Sequence, residues 1–250
     1  RCAALCYNRG MTTRCHYLAA VCAVLALGLA HHAPARVFHS AARVTLLTGG
    51  FSFVEGPAVD SNGNVCFTDV ADNTIWRWST SNTLEAVRHA SGGANGLYFG
   101  ADDTLYICEG GARRVAQLTP GGRYTPIVSH YRGTRFNSPN DLWLDACGGI
   151  YFTDPRYGSR DDVRLPFNVY YVAPAATQAL AVATDLVMPN GIIGTPDGTR
   201  LYIADLGAGT TYVYHIGADG TLTNKRVFAA QGSDGMTLDN DGNVYLTGGT

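Results

Sequence analysis

Charge is scarce in this chain. Asp, Glu, Lys and Arg make up 15% of its 250 residues, well under the usual quarter, and the net charge is −2. No stripe of Lys and Arg runs along any segment, which excludes the electrostatic footprint of a nucleic-acid binder. Long amphipathic stretches with a 3.6-residue period are missing, which argues against a helical bundle or solenoid. No G-x-S-x-G elbow occurs, so a serine-hydrolase triad is disfavoured. Of seven cysteines, four (Cys2, Cys6, Cys15, Cys22) lie near the N-terminus. The other three, Cys66, Cys108 and Cys147, are odd in number and show no disulfide framework. Cys66 and Cys108 sit in apolar stretches and read as small buried hydrophobes.

What is plentiful points the other way. Thirty glycines, fourteen tyrosines and 46% hydrophobic residues suit many short strands and tight turns within one large β domain. The first residue is Arg1, so the reading frame is expected to start at Met11. From there the chain reads as a secretory leader, with Arg14 as a positive n-region and Tyr17 to Ala30 as the apolar run. Ala33-Pro34-Ala35 then supplies small residues for cleavage. Residues 1–35 are assigned to this leader and 36–250 to the β domain, and the protein is expected to be periplasmic or secreted. The apolar run is short for a membrane span, an uncleaved anchor being the alternative, and no other segment could cross a bilayer.

Five repeats follow. Short apolar runs rich in Val, Ile and Tyr read as strands, and separators such as Ser61-Asn62-Gly63-Asn64, Pro196-Asp197-Gly198 and Asn240-Asp241-Gly242 are hairpin chemistry. The period of roughly 40–50 residues, with about four strands in each unit, is that of a β-propeller blade. Arg43 to Thr48 (RVTLLT) is predicted to be a strand that completes the last blade. The sequence reaches Thr250 one hairpin into its fifth unit, so about four and a half blades are expected within it.

One polar residue recurs in every unit: Glu55, Asn95, Asn140, Asn190, Asp234. Each stands ten residues, eleven in the fourth unit, ahead of the apolar runs that start at Val65, Leu105, Ile150, Leu201 and Val244. Gly follows it in four units, and Asp141 follows Asn140 in the third. Units packed around an axis would make these positions neighbours on a ring. Two carboxylates and three amides form an all-oxygen set suited to a hard divalent cation: Ca²⁺ first, then Mg²⁺ or Mn²⁺, with Zn²⁺ less suited because no His or Cys takes part. Such an ion could polarise an ester carbonyl. The plain alternative is a ring that only hydrogen-bonds channel water and holds the blades together.

The segments EGPAVDSNGNVCFTDVADNTIWRW, CEGGARRVAQLTPGGRYTPIV, RFNSPNDLWLD, IYFTDPRYG, PNGI and SDGM together resemble the senescence-marker-protein/gluconolactonase/luciferin-regenerating-enzyme-like family. The resemblance runs from about Phe53 to the end. It implies a six-bladed β-propeller, truncated here at its C-terminus, with metal ligands at Glu55, Asn140, Asn190 and Asp234. It also makes Asp234 the candidate for acid/base work. Gly110 stands where many such sequences carry His, and Ser233 where Pro is usual. The activity expected is metal-dependent hydrolysis of a small-molecule lactone of the gluconolactone kind. Asn95, Asn140, Asp154 and Tyr157 would orient substrate hydroxyls. A phosphotriesterase-like hydrolase on the same ring, or a binding propeller with a structural Ca²⁺, are the rival readings.

Overall fold

A computed structural model describes residues 43–157 and 161–248. Two units divide the chain, Arg1–Gly50 and Phe51–Thr250. The predicted leader lies outside the described residues. Within the first unit, residues 43–50 have no regular structure, and Val44 and Leu46 are exposed. The strand expected at Arg43–Thr48 is therefore not formed. Apolar alternation gives a segment strand propensity, but a strand exists only where a ladder partner satisfies its backbone.

The second unit is all β, and no helix occurs among the described residues. Its strands are β1 (Val54–Val59), β2 (Val65–Asp69), β3 (Thr74–Trp78) and β4 (Leu84–His89) in the first sheet. The second sheet holds β5 (Ala94–Phe99), β6 (Leu105–Glu109), β7 (Arg114–Leu118) and β8 (Tyr124–Val128). A small hairpin, β9 (His130–Tyr131) and β10 (Thr134–Arg135), precedes the third sheet of β11 (Leu142–Leu144), β12 (Ile150–Thr153), β13 (Val169–Val172) and β14 (Ala179–Ala183). The fourth contains β15 (Pro189–Gly194), β16 (Arg200–Asp205), β17 (Thr210–Ile216) and β18 (Leu222–Ala229). The fifth contains β19 (Met236–Leu238) and β20 (Val244–Leu246). Every sheet is an antiparallel meander in chain order, as the turn chemistry predicts.

The core lies between sheets. Ile75, Leu97, Leu105 and Ile107 fill the space between the first and second sheets. Cys108, Val115, Phe136, Leu142, Phe152 and Tyr170 fill the next. Trp143, Tyr151, Val169, Ile192, Leu201 and Ile203 fill the one after. The period-2 alternation of a strand explains why Leu142 and Leu144 face one neighbour and Trp143 the other. The third sheet is covered on both faces, and β11, β12 and β13 are buried at every residue, hence their near-continuous apolar runs. Cys66 and Cys108 are buried and unpaired, as expected.

At the inner strands the sheets meet through backbone. Gly96 N–H donates to Asn140 O at 2.7 Å. The Thr68 hydroxyl donates to Asn95 O at 3.1 Å, and that of Thr153 to Asn190 O at 2.9 Å. A Cβ on Gly56, which also holds φ +52°, would lie 2.2 Å from Asn95 O; one on Gly96 would lie 2.6 Å from Asn140 O. Only glycine permits that approach.

Hairpin carboxylates close the turns. Asp239 accepts from Asn243 Nδ2 at 2.8 Å and from the Tyr245 hydroxyl at 2.7 Å, and these partners hold its carboxyl down to about 2. Asp197 and Asp219 are likewise held below the usual carboxylate range, chiefly by the hydroxyls of Thr195 and Thr221 respectively. A depressed folded-state pKa contributes stability that is fully present above the unfolded value and lost as pH falls through the folded one. The urea midpoint should therefore fall between about pH 4 and pH 2, and Asp239→Asn should flatten that fall. Midpoints that stay constant over this window in the unsubstituted protein would contradict the assignment.

Candidate functional site

The inner strands lose their register where the recurrent polar residues stand. In β1 the ladder passes from the Glu55–Thr68 pair to Ala58–Cys66, so Gly56 and Pro57 oppose Phe67 alone. In β5, Asn95 and Gly96 together oppose Cys108; in β15, Asn190 and Gly191 oppose Ala204. These are β-bulges, which bend a strand and re-aim side chains. Asn140 and Asp234 fall just ahead of β11 and β19; Asn140 N–H donates to Thr153 O at 2.9 Å while Asp141 O accepts from Thr153 N at 3.0 Å, so there too two residues oppose one. Five interruptions at one place in five meanders turn the polar side chains out of the sheets.

The result is a shared cavity of ≈ 800 Å³, lined by Glu55, Asn95, Asn140, Asp141 and Asp234, with Tyr98, Phe99 and Ile193 among its apolar walls. Asn190 joins from behind: it is buried, and its Nδ2 donates to Asp234 Oδ1 at 2.5 Å. The five residues picked out by their constant offset are thus brought together, from five sheets.

Tyr157 lies near Asn190 and Asp234 but is exposed and is not among the residues that line the cavity. Asp154 is not brought in. It is fully buried, and its Oδ2 and Oδ1 accept from the backbone N–H groups of Asn137 at 2.9 Å and Ser138 at 2.7 Å. Asp69 does the same for Phe53 and Ser52, and Asp205 for Met188 and Val187. Each closes the second strand of its sheet and clamps the loop that leads into the first. The substrate contact expected of Asp154 is corrected to this repeated clamp; the residue is fully buried and is not among those lining the cavity.

One member escaped the sequence reading. Asp141 lines the cavity, and its carboxylate accepts from Leu142 N at 2.9 Å and from Ile192 N, on the neighbouring sheet, at 3.0 Å. Burial pushes it up to about 7, against these two hydrogen bonds, with the Glu55 and Asp234 charges adding to the rise. Its signal was the break in the glycine pattern after Asn140.

Glu55 is also pushed up to about 7, first by burial and then by the charge of Asp234. Two carboxylates that repel each other in a half-buried cavity are relieved by a cation. No Lys, Arg or His is among the described residues lining the cavity. No trio of His, Cys, Asp or Glu suited to a metal occurs among the described residues, so any ion here depends on amide oxygens beside Glu55 and Asp234. Carboxylate and amide oxygens suit Ca²⁺, Mg²⁺ or Mn²⁺.

Antiparallel meanders that turn acids and amides into one polar hub define an all-β protein with its site at the inner strands. The chain belongs to the SMP-30/gluconolactonase/LRE-like family, which its residues 53–249 match. A gluconolactonase of Zymomonas mobilis subsp. mobilis is 28% identical over 238 residues, covering 82% of this chain and 67% of that protein. A lactonase of Staphylococcus saprophyticus is 26% identical over 211 residues, covering 77% of this chain and 62% of that protein, so the chain spans less than two thirds of this relative. A solved gluconolactonase structure from Xanthomonas campestris matches with a TM-score of 0.75 at 29% identity, over 82% of this chain and 72% of that one.

The clamp assignment is testable apart from activity. Asp154→Ala leaves two buried N–H groups without their acceptor, at about 1–3 kcal/mol each, and should lower the urea midpoint accordingly. A substrate-contacting Asp154 would instead show as a kinetic defect at unchanged stability.

Proposed function

We propose that the protein hydrolyses a neutral, polyhydroxylated lactone of the gluconolactone kind at this hub. The observation that carries the reading is the convergence of Glu55, Asn95, Asn140 and Asp234 on one cavity, with Asn190 bonded to Asp234. Relatives named gluconolactonase and lactonase support it. Closure into a six-bladed propeller belongs to the same proposal, as does export to the periplasm or beyond by the Met11 leader.

Glu55, Asn140, Asn190 and Asp234 would hold a divalent cation, Ca²⁺ in the first instance. When bound, the ion supplies a Lewis acid for the lactone carbonyl and offsets the charge of the two acids. Asn95 and Asn140 line the cavity, where their amides suit hydrogen bonds to sugar hydroxyls. Tyr157, near Asn190 and Asp234, would turn its hydroxyl to the same ligand.

Asp234 is the base. One carboxylate oxygen is taken by Asn190 Nδ2, which fixes its orientation. The other would take a proton from water as the water oxygen bonds to the carbonyl carbon. The ring C–O bond then breaks, and the departing alkoxide takes the proton back from Asp234, giving the open hydroxy acid and the free base. A base acting at this step contributes about 10²–10⁴ in rate.

The test is turnover of δ-gluconolactone followed by acid release, with and without a chelator. Activity should disappear with chelator and return with Ca²⁺, Mg²⁺ or Mn²⁺. Asp234→Asn should lower kcat by about 10²–10⁴ while the protein stays folded. Thermal stabilisation by Ca²⁺ with no turnover of any lactone would point to a binding protein instead, and an unchanged kcat in Asp234→Asn would remove that residue from the chemistry.

A further inference from the structure

The junction between the first and second sheets departs from its counterparts at two positions. Each second strand carries a residue three places ahead of the acid that closes it. That residue is Tyr106, Tyr151 and Tyr202 in the second, third and fourth sheets, but Cys66 in the first. Between the third and fourth sheets, the Tyr151 hydroxyl donates to Gly220 O at 3.0 Å, in the turn between β17 and β18. Gly122 holds the same place in the turn between β7 and β8. Its N–H donates to Thr119 O at 2.9 Å, as that of Gly220 does to Gly217 O at 3.0 Å. Cysteine is too small to span the gap that Tyr151 fills. A cavity of ≈ 390 Å³ stands there instead, lined by both Cys66 and Gly122. Burial pushes the Cys66 thiol up to about 11, so this wall stays neutral.

The second departure is Arg88. In each four-stranded sheet the outer strand bulges, and the residue after the bulge is Val128 in β8, Ala183 in β14 and Ala229 in β18. In β4 it is Arg88, which lines the cavity. Its guanidinium carbon lies over the Tyr124 ring, 3.9 Å from the centroid. The ring attracts the charge but accepts none of the in-plane N–H groups. Nε is buried without a hydrogen-bond partner, and among the described residues no ion pair reaches Arg88. A buried donor without an acceptor is destabilising, and the other three sheets avoid it with an apolar residue. The remaining charges around the cavity are matched. Arg77 Nε donates to Glu85 Oε1 at 2.6 Å, and Asp103 accepts from Ser61 N at 2.9 Å.

We propose that this cavity is a binding site apart from the hub, for a small organic carboxylate with an apolar body, held by Arg88. Val87, Phe99, Leu105 and Leu118 line it beside Cys66, so the body of a ligand meets hydrocarbon. The uncommitted guanidinium supplies one positive charge. Through Nε and one Nη it also supplies the pair of parallel donors that a carboxylate accepts. A phosphate would carry up to two charges between apolar walls against a single unmatched cation. The volume falls within the range of small-ligand pockets. Phe99 alone lines both this cavity and the hub, so the site stands whether or not the hub opens lactones.

Benzoate is the probe, titrated into the full chain and followed through the NMR shifts of the Val87 and Leu118 methyl groups. It should bind with a Kd of about 1 mM, as suits so small a ligand. Arg88→Val, which installs the residue of the second sheet, should weaken binding by about tenfold or more, the loss of a charge-assisted pair. Cys66→Tyr, which installs the residue of the other three sheets, should abolish it. Benzyl alcohol, the same ring without the charge, should bind about tenfold more weakly than benzoate. The proposal is overturned if benzoate at about 20 mM moves neither methyl, or if it binds Arg88→Val as well as the unsubstituted protein. Displacement of benzoate by inorganic phosphate would equally overturn it. Without ligand, the melting temperature of Arg88→Val should change little. A large fall, with no response of the unsubstituted protein to benzoate, would make Arg88 a packing partner of Tyr124 and nothing more. Where Cys66→Tyr does not fold, Arg88→Val decides alone.

Discussion

Backbone contact between neighbouring sheets at the inner strands is the constraint on which the site depends. The closest approach is glycine to carbonyl, and each such contact falls at the residue after a hub side chain. Strands that approach so closely cannot continue a regular ladder, and the register shifts of β1, β5 and β15 occur at this point. A bulge leaves polar backbone unpaired and turns a side chain out of its sheet. Where several bulges face a common space, the side chains they turn out must be polar or the space would collapse. Site and fold are in this sense one feature: the contact that joins the sheets also aims the residues.

Acidic residues in the repeats divide into two jobs by their place on the strands. Those closing the second strand, Asp69, Asp154 and Asp205, give both oxygens to backbone N–H groups of the loop behind the hub. Those at the hub, Glu55 and Asp234, lie on the cavity wall. Asp69 holds the loop that leads to Glu55, and Asp154 and Asp205 hold those that lead to Asn140 and Asn190. Glu109 occupies the clamp position of the second sheet but turns to Arg114 and Tyr124. There the preceding loop is held by Asn73 instead, whose Oδ1 accepts from Gly93 N at 2.7 Å. A missing clamp in one sheet is supplied by its neighbour.

The ring was legible because it is periodic: a polar residue at a fixed offset from an apolar strand survives translation from unit to unit, and the meander was legible from the Gly and Asn turns. Asp154 was misread because it was considered alone, beside Pro155 and Tyr157, when Asp69 and Asp205 hold the same place in their repeats. The offset argument that found the ring would also have found the clamp. Asn137 lies beyond such reasoning, because the partners of its side-chain oxygen come from a segment nearly thirty residues away. The strand expected at Arg43–Thr48 shows a further limit, since alternation specifies a face and not a partner.

Three of the five hub positions are amides, and electrostatics explains why they are not acids. With two carboxylates, burial and mutual repulsion already lift Glu55 to about 7, and Asp141 is lifted to a similar value beside them. A further acid at Asn95, Asn140 or Asn190 would add like charge in a cavity whose described lining holds no cationic side chain, and protonation would relieve it by removing an oxygen donor. An amide keeps its carbonyl oxygen at every pH, and its Nδ2 can do what a carboxylate cannot, as Asn190 does in donating to Asp234. Asp234 is thereby oriented by a neighbour that adds no repulsion. The composition of the ring is the one that gathers oxygen ligands in numbers while limiting the charge the fold must tolerate when no ion is bound.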